Sequence, residues 1–162
     1  MGKGMNVCRQ AVSLAFLALF FVALPTARGG EMVAVAHDDV IVRDAPDMAG
    51  KMLWKYDQGL PLEVVGAKGD WRKVSDFEGD GGWLLLADLN KEPHMVVRAT
   101  IKNTDQRVNA NIRKGPGTGY GVVGEAVYGA VFATFEQRSG WVRVRHDSGL
   151  EGWMKRELLW GF

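Results

Sequence analysis

The sequence predicts an all-β protein in which two tandem small β-barrels follow an N-terminal signal helix. Three observations predict this: a residue pattern that recurs 70 positions later, short β-prone segments separated by glycine-containing turns, and one uncharged apolar run near the N-terminus. The composition agrees, because 47% hydrophobic and 24% charged residues suit a packed core rather than a disordered chain.

The N-terminal segment, residues 1–29, has the pattern of a signal peptide. Lys3 and Arg9 give a basic start, residues 11–24 form an uncharged apolar run, and small residues follow as a cleavage site. This run is shorter than the roughly 20 residues that span a bilayer, so we expect membrane attachment only through an uncleaved signal. Cys8 precedes the run, and a mature chain would therefore contain no cysteine. We predict a periplasmic or secreted protein.

The first barrel is predicted at residues 32–89. Its β-prone segments are short: Val33 and Val35 suit a strand, and residues 71–75 alternate in character. Apart from the signal, no long segment combines a helical period with caps at both ends. Closely spaced short strands with glycine turns are typical of a small barrel or sandwich.

A linker is predicted at residues 90–95, where Pro93 blocks helix continuation. The second barrel is predicted at 96–158, with a tail at 159–162. A linker this short and polar predicts that the two barrels lie side by side with restricted motion.

The repeat is clearest from its tryptophans: Trp71 and Trp141 are 70 positions apart, as are Trp83 and Trp153. The other pairs in the same register are Arg43 and Arg113, Pro46 and Pro116, Gly59 and Gly129, Val74 and Val144, Gly79 and Gly149, and Gly82 and Gly152. A residue that the architecture requires recurs in each copy of a repeat. We therefore predict that the four paired tryptophans are structural residues that fill the barrel cores.

The second copy resembles the bacterial SH3-like (SH3b) domain family. Residues 111–120 read N-I-R-K-G-P-G-T-G-Y, similar to the family signature N-[VIL]-R-x-G-P-G-T-x-[YF], and the G-W-V-R-V at 140–144 and G-L-E-G-W at 149–153 continue the family pattern. The first copy keeps Arg43 and Pro46 but lacks both glycines of the Gly-Pro-Gly element. The resemblance implies a compact barrel of five or more strands per copy and a binding role in the cell envelope.

Candidate binding residues are those that differ between the copies. Trp54 and Tyr56 occur only in the first copy, Tyr120 and Tyr128 only in the second, and exposed tyrosine and tryptophan side chains are good binding anchors. Gly115, Gly117 and Thr118 belong to a loop whose glycines permit positive φ and close approach of a peptide backbone. The same loop could equally serve as a turn of the barrel.

The charge distribution bears on partners. The formal net charge of +1 gives no support for nucleic-acid binding. Residues 31–92 carry 13 acidic and 7 basic side chains, whereas residues 93–162 carry 10 basic and 6 acidic ones. This split fits two different ligand surfaces or simply solvated surface charge. Arg143 and Arg145 are among the basic residues that could favour an acidic polymer such as a wall glycan.

The sequence lacks the residue patterns of the common hydrolase active sites. A mature chain without cysteine has no thiol nucleophile, and Ser75, Ser139 and Ser148 lack a G-x-S-x-G elbow. With three histidines in the chain, a zinc site with three or four converging ligands is not expected. We predict that the protein is not an enzyme and that it uses no metal and no cofactor.

Two functions remain open at the level of sequence. The first is an exported, non-catalytic binding module for peptidoglycan or cell-wall peptides. The second is a protein–protein interaction adaptor, or an envelope sensor component, that holds a peptide segment of a partner protein.

Overall fold

Buried and more exposed side chains alternate along the strands of this protein. In the segment Gly81–Leu85, for example, Gly82 and Leu84 are buried while their neighbours are partly exposed, as expected for a strand with one face on a core. The computed structural model describes residues 30–98 and 110–162. The predicted signal peptide lies outside the described residues.

The described residues form two seven-stranded antiparallel sheets. The first contains β1 (Glu31–Val35), β2 (Val40–Arg43), β3 (Met52–Tyr56), β4 (Pro61–Lys68), β5 (Trp71–Ser75), β6 (Gly81–Leu85) and β7 (Leu89–Asn90). The second contains β8 (His94–Val97), β9 (Ala110–Arg113), β10 (Val122–Ala126), β11 (Val131–Arg138), β12 (Trp141–Arg145), β13 (Glu151–Lys155) and β14 (Leu159–Gly161). A single turn of 3₁₀ helix precedes the last strand of each sheet, at Leu86–Asp88 and Arg156–Leu158.

Both sheets have the same strand order. The first runs β3-β2-β6-β5-β4-β1-β7, and the second runs β10-β9-β13-β12-β11-β8-β14. Each sheet encloses its own hydrophobic core. The prediction of an all-β fold with two tandem small barrels is confirmed.

The first strand of each barrel departs from the 70-residue register. Val33 of β1 pairs with Leu62, whereas Met95 of β8 pairs with the equivalent Phe132, so β1 and β8 are only 62 positions apart. The connection from β8 to β9 is correspondingly longer than that from β1 to β2.

The barrel boundaries differ from the predicted ones. Strand β8 begins at His94, within the predicted linker, and β14 occupies 159–161 of the predicted tail. The reason is strand pairing, because Leu159 lies opposite Val97 and Trp160 opposite Val96. Only residues 91–93 connect the last strand of one sheet to the first strand of the next.

Glycines shared by the two copies form tight turns. Gly59 and Gly129 have φ of 81° and 82°, and Gly79 and Gly149 have φ of 91° and 87°. A residue with a Cβ is strained in this left-handed region, which explains why these glycines recur in both copies. No helix within the described part of the chain is long and apolar enough to cross a membrane.

Candidate functional site

The four repeated tryptophans lie on the outer faces of the barrels, which corrects the prediction that they fill the cores. Trp71, Trp83, Trp141 and Trp153 are all partly exposed and none belongs to a buried core cluster. The cause is strand parity: Trp71 and the buried Val74 are three positions apart on β5 and so face opposite sides of the sheet. That spacing was readable in the sequence and could have identified the tryptophans as surface residues.

A cation lies on each side of one repeated indole in both barrels. In the first barrel Trp83 pairs with Arg43 of β2 and with Lys73 of β5. In the second barrel Trp153 pairs with Arg113 of β9 and with Arg143 of β12. Directly opposed residues on neighbouring strands have Cβ atoms only ~5 Å apart, so each outer face presents an aromatic side chain between two positive charges. We call these the outer faces of the first and second barrel.

A cleft of about 190 Å³ adjoins the outer face of the first barrel. Its lining residues are His37, Asp39, Val40, Ile41, Arg43, Met48, Trp71, Leu85 and Asp88. The His37 imidazole contacts the Asp38 carbonyl oxygen at 2.9 Å and the Asp88 carboxylate at 3.3 Å. These two acceptors raise the pKa of His37, so the cleft combines apolar walls with charged groups of both signs.

The arginine of each copy holds the adjacent loop in place. Arg43 donates through Nη1 to the carbonyl of Gly50 at 2.8 Å, and Arg113 donates to the equivalent carbonyl of Tyr120 at 2.8 Å and to that of Thr118 at 3.1 Å. The contribution of Thr118 to this network is therefore its backbone oxygen. Each arginine thus combines a structural role with its charge on the outer face.

The Tyr120 ring lies against the backbone of Gly115 and Gly117. A Cβ at Gly115 would lie 2.6 Å from ring carbons, and one at Gly117 would lie 3.3 Å away. Neither glycine has positive φ, so the reason for glycine is space for the ring rather than an unusual backbone angle. Tyr120 is 52% exposed, and this tyrosine–glycine loop borders the outer face of the second barrel.

The first copy replaces all three residues of this contact together. Ala45, Asp47 and Gly50 are the counterparts of Gly115, Gly117 and Tyr120. Where the ring is absent, side chains occupy the two glycine positions. The loss of the glycines in the first copy is therefore a change of loop packing within the same fold.

Replacing Gly115 by alanine should destabilise the second barrel by about 1–2 kcal/mol, because the new methyl group overlaps the Tyr120 ring. The double variant Gly115→Ala/Tyr120→Gly should recover most of this loss, and urea denaturation of the three proteins checks it. Gly119→Ala is the matched control, since nothing lies within 4 Å of its Cβ position. Equal losses in the presence and absence of the Tyr120 ring would contradict the packing explanation.

Trp54 and Tyr56 are core residues of the first barrel, which corrects the expectation that they form an exposed binding surface. Tyr56 is 8% exposed and its hydroxyl donates to the Asp76 carboxylate at 2.8 Å. Trp54 packs against the core and meets the Tyr56 ring edge-on at a centroid distance of 6.2 Å. Burial and the Asp76 carboxylate raise the pKa of the Tyr56 hydroxyl.

The second barrel fills the same space from the turn between β12 and β13. Gly124 is the counterpart of Trp54, and a Cβ there would lie 2.7 Å from the Leu150 side chain, which replaces Asp80 of the first barrel. Differences between the copies at these positions are exchanges of core volume. This explains why non-equivalence was a poor guide to ligand-binding residues.

Tyr128 connects the two barrels. Its hydroxyl donates to Glu78 of the β5–β6 turn at 3.0 Å, and its ring lies 5.4 Å from the Phe77 ring. Burial and the Glu78 carboxylate raise the pKa of Tyr128. Gly59 also lies against His94 of the second barrel. Of the four aromatic candidates, only Tyr120 therefore lies free of both the core and the contact between barrels.

The outer face of the second barrel contains a further charged cluster. Glu151 binds Arg143 and Arg145, and these two arginines, Arg145 foremost, lower the pKa of the Glu151 carboxyl. The Arg145 guanidinium lies 4.4 Å from the centre of the Phe135 ring, in the range of a cation–π interaction. Within 30–98 and 110–162, no three histidine, cysteine or acidic residues converge in a way that could hold a metal ion.

Comparison with family models identifies each barrel separately. Residues 36–90 and residues 108–159 each match a model described as a bacterial SH3 domain. The resemblance seen in the sequence of the second copy therefore extends to the first. The recognition of two tandem copies is confirmed.

One relative aligns with most of the chain. It is the YrvJ protein of Bacillus subtilis (strain 168), whose name suggests an N-acetylmuramoyl-L-alanine amidase, and it is 28% identical over 139 residues, or 83% of this chain. The chain spans about a quarter of the length of that relative, since the alignment covers 26% of it. The prediction that the protein is not an enzyme is contradicted by this match to a protein with an enzyme's name.

Two solved structures show a partial likeness. An NlpC/P60 family protein from Bacillus cereus ATCC 10987 has a TM-score of 0.37 and 16% identity, covering 80% of this chain and 56% of its own. NlpC2 from Trichomonas vaginalis has a TM-score of 0.35 and 12% identity, covering 81% of this chain and 48% of its own. On the two family matches and the shared strand order, the chain belongs to the bacterial SH3 domain family, with one copy in each barrel.

Proposed function

We propose that this protein is exported and that its two barrels bind cell-wall peptidoglycan or its peptides through their outer faces. The observation that carries the proposal is the repeated arrangement of an indole between two cations, Trp83 in the first barrel and Trp153 in the second. Tryptophan offers a large apolar surface and an N–H donor, and flanking cations attract carboxylates. Peptidoglycan peptides and sugars carry groups that fit both: apolar faces and hydrogen-bond acceptors for the indole, and carboxylates for the cations.

Two further observations support the proposal. Bacterial SH3 domains are typical cell-wall binding modules, and the Bacillus relative carries the name of an N-acetylmuramoyl-L-alanine amidase. The signal peptide that we propose at residues 1–29 would deliver the barrels to the compartment where that polymer lies.

The test is sedimentation of the purified protein with isolated peptidoglycan sacculi. The double variant Trp83→Ala/Trp153→Ala should lower the affinity at least about tenfold, because central aromatic anchors contribute most to binding. Val127→Ala is the control, since this exposed residue lies in the β10–β11 turn and on none of the strands that carry the outer-face tryptophans. Thermal unfolding of each variant shows whether the fold is intact.

An unchanged affinity in a folded double variant would rule out the outer faces as the binding surface. The single variants Trp83→Ala and Trp153→Ala show how binding divides between the barrels. No sedimentation of the unmodified protein would reject the proposal itself.

The alternative is binding of a partner protein's peptide at a sheet edge. Strands β3 and β10 are terminal in their sheets and carry the exposed apolar residues Met52 and Val122. An extended peptide can add to such an edge by backbone hydrogen bonds. In that case Met52→Lys and Val122→Lys would abolish capture of the partner, while sedimentation with sacculi would not occur.

A further inference from the structure

A row of alternating aromatic and basic side chains crosses the outer face of the second barrel. Trp153 on β13 lies between Arg113 on β9 and Arg143 on β12. Arg145, one pleat further along β12, lies over Phe135 of β11. At the opposite end the Tyr120 ring rests on its glycine loop, and the Tyr120 carbonyl accepts a hydrogen bond from Arg113. The row therefore spans four adjacent strands, which are spaced ~4.8 Å apart.

The members of the row are accessible. Phe135 is 54% exposed at the β-bulge between Thr134 and Glu136, and the side chains of Arg143 and Arg145 are about half exposed. A guanidinium carries five N–H donors. The hydrogen bonds of Arg113 described above all come from its Nη1, and Arg145 donates to Glu151 from its Nε. Both groups retain donors for a ligand.

The first barrel carries no such row. At the positions equivalent to Phe135, Arg145, Glu151 and Tyr120 it has Val65, Ser75, Gly81 and Gly50. The net charge of the surrounding chain also differs between the barrels, because residues 31–92 have an acidic excess and residues 93–162 a basic one. An acidic ligand is therefore favoured on the second barrel only.

We propose that this row binds an acidic polysaccharide whose sugar rings carry carboxylates. This inference rests on the proposed function for the location of the binding face and adds the ligand class and the choice of barrel. Sugar ring faces lie on the Phe135, Trp153 and Tyr120 rings, and carboxylates between them pair with the guanidinium groups. Guanidinium groups pair with carboxylates in a bidentate geometry that lysine cannot reproduce.

Glu151 holds two of the guanidinium groups on the outer face. Its two oxygens divide between Arg143 and Arg145, one to each, so each guanidinium is positioned there with further N–H donors for an incoming carboxylate. The same acidic residue moderates the positive charge of the face. A polymer with no more than one carboxylate per sugar ring therefore suits the row better than nucleic acid or polyphosphate, whose charges are closely spaced.

The experiment measures binding of the purified full chain to polygalacturonate by titration calorimetry, with dextran as the neutral polymer and polyphosphate and a single-stranded DNA oligonucleotide as phosphate polymers. We expect polygalacturonate to bind most tightly, and Arg145→Gln and Arg143→Gln each to weaken it at least fivefold. Phe135→Ala should weaken it as well. Lys51→Gln and Val65→Ala on the first barrel are the controls. They remove a charge and an exposed apolar side chain, and the affinity for polygalacturonate should stay unchanged.

Equal binding of dextran, tighter binding of either phosphate polymer, or unchanged affinity in a folded Arg145→Gln variant would each overturn the inference. Sedimentation with sacculi separates the two proposals. A protein that sediments with sacculi but does not bind polygalacturonate refutes only the acidic-glycan inference. A protein that binds polygalacturonate and fails to sediment with sacculi refutes peptidoglycan binding instead.

Discussion

Replacing Asp76 by alanine should lower the free energy of unfolding of the first barrel by about 3 kcal/mol, because one buried carboxylate accepts three hydrogen bonds. Tyr56 donates its hydroxyl to one oxygen, and the backbone N–H groups of Glu78 and Asp80 donate to the other, each at 3.0 Å. Asp76 is 9% exposed, so water replaces these bonds poorly. The variant would leave a buried hydroxyl and two turn amides without their acceptor.

The second barrel supplies the matched control. His146 is the counterpart of Asp76, and its Nδ1 accepts one turn amide, that of Ser148, at 3.1 Å. His146→Ala should therefore cost only about 1 kcal/mol. Urea denaturation followed by circular dichroism compares the two variants. Equal losses from Asp76→Ala and His146→Ala would show that the buried tyrosine contributes nothing to the network.

The same network gives the first barrel a pH dependence in the alkaline range. The pKa of Tyr56 is raised in the folded protein, whereas an unfolded tyrosine titrates near pH 10. Its contribution to stability is complete below about pH 10 and declines as the pH rises toward the folded-state pKa, because only the unfolded chain then loses the proton. Tyr56→Phe should remove this decline, and stability curves between pH 8 and 11 measure it.

Replacing Gly82 by alanine should destabilise the first barrel by about 3 kcal/mol or more, and Gly152→Ala should do the same to the second. A Cβ at Gly82 would lie 2.6 Å from the Arg43 carbonyl oxygen and 2.6 Å from Val42. These contacts belong to strand β2, which pairs with β6 and is fixed by it. The backbone cannot move away without breaking that pairing, so the cost is larger than for an ordinary overpacked side chain.

Gly66→Ala is the control for the glycine substitutions. The nearest atom to its Cβ position is Lys73 Cβ at 3.5 Å, an ordinary contact, and its effect should stay within about 0.5 kcal/mol. Because each barrel has its own core, Gly82→Ala should affect the unfolding of one barrel and Gly152→Ala that of the other. If Gly82→Ala and Gly66→Ala had the same free energy of unfolding, strand β2 would have to adapt to the added methyl group.

The sequence predicted the fold more completely than the site. Constant spacing between copies reveals a repeated barrel even when the first copy has lost part of its signature, because strand pairing and turn glycines require the same positions in both. The first strand of each barrel departs from this register, because the longer β8–β9 connection places β8 only 62 positions after β1. Strand β8 begins two residues before the predicted 96–158, and β14 ends three residues beyond it.

The candidate site depends on which way each side chain faces. For the aromatic residues, recurrence in both copies was taken to indicate the core and difference between the copies the surface, and the structure shows the reverse for Trp71 and Tyr56. Recurrence placed Trp71 in the core, although its parity relative to Val74 places it outside. Difference between the copies placed Tyr56 outside, although its partner Asp76 lies twenty residues away and only the folded chain brings them together. Contacts between distant strands of this kind are not visible in a local pattern.

The exchange of core volume between the barrels has a consequence for tandem repeats on one chain. Neighbouring copies with similar sequences can misassemble by swapping strands during folding. Here a strand carrying Trp54 placed beside Leu150 would overfill the core, and a strand carrying Gly124 placed beside Asp80 would leave it underfilled. Each barrel therefore discriminates against the other's strands, and the two copies keep their topology while ceasing to be interchangeable.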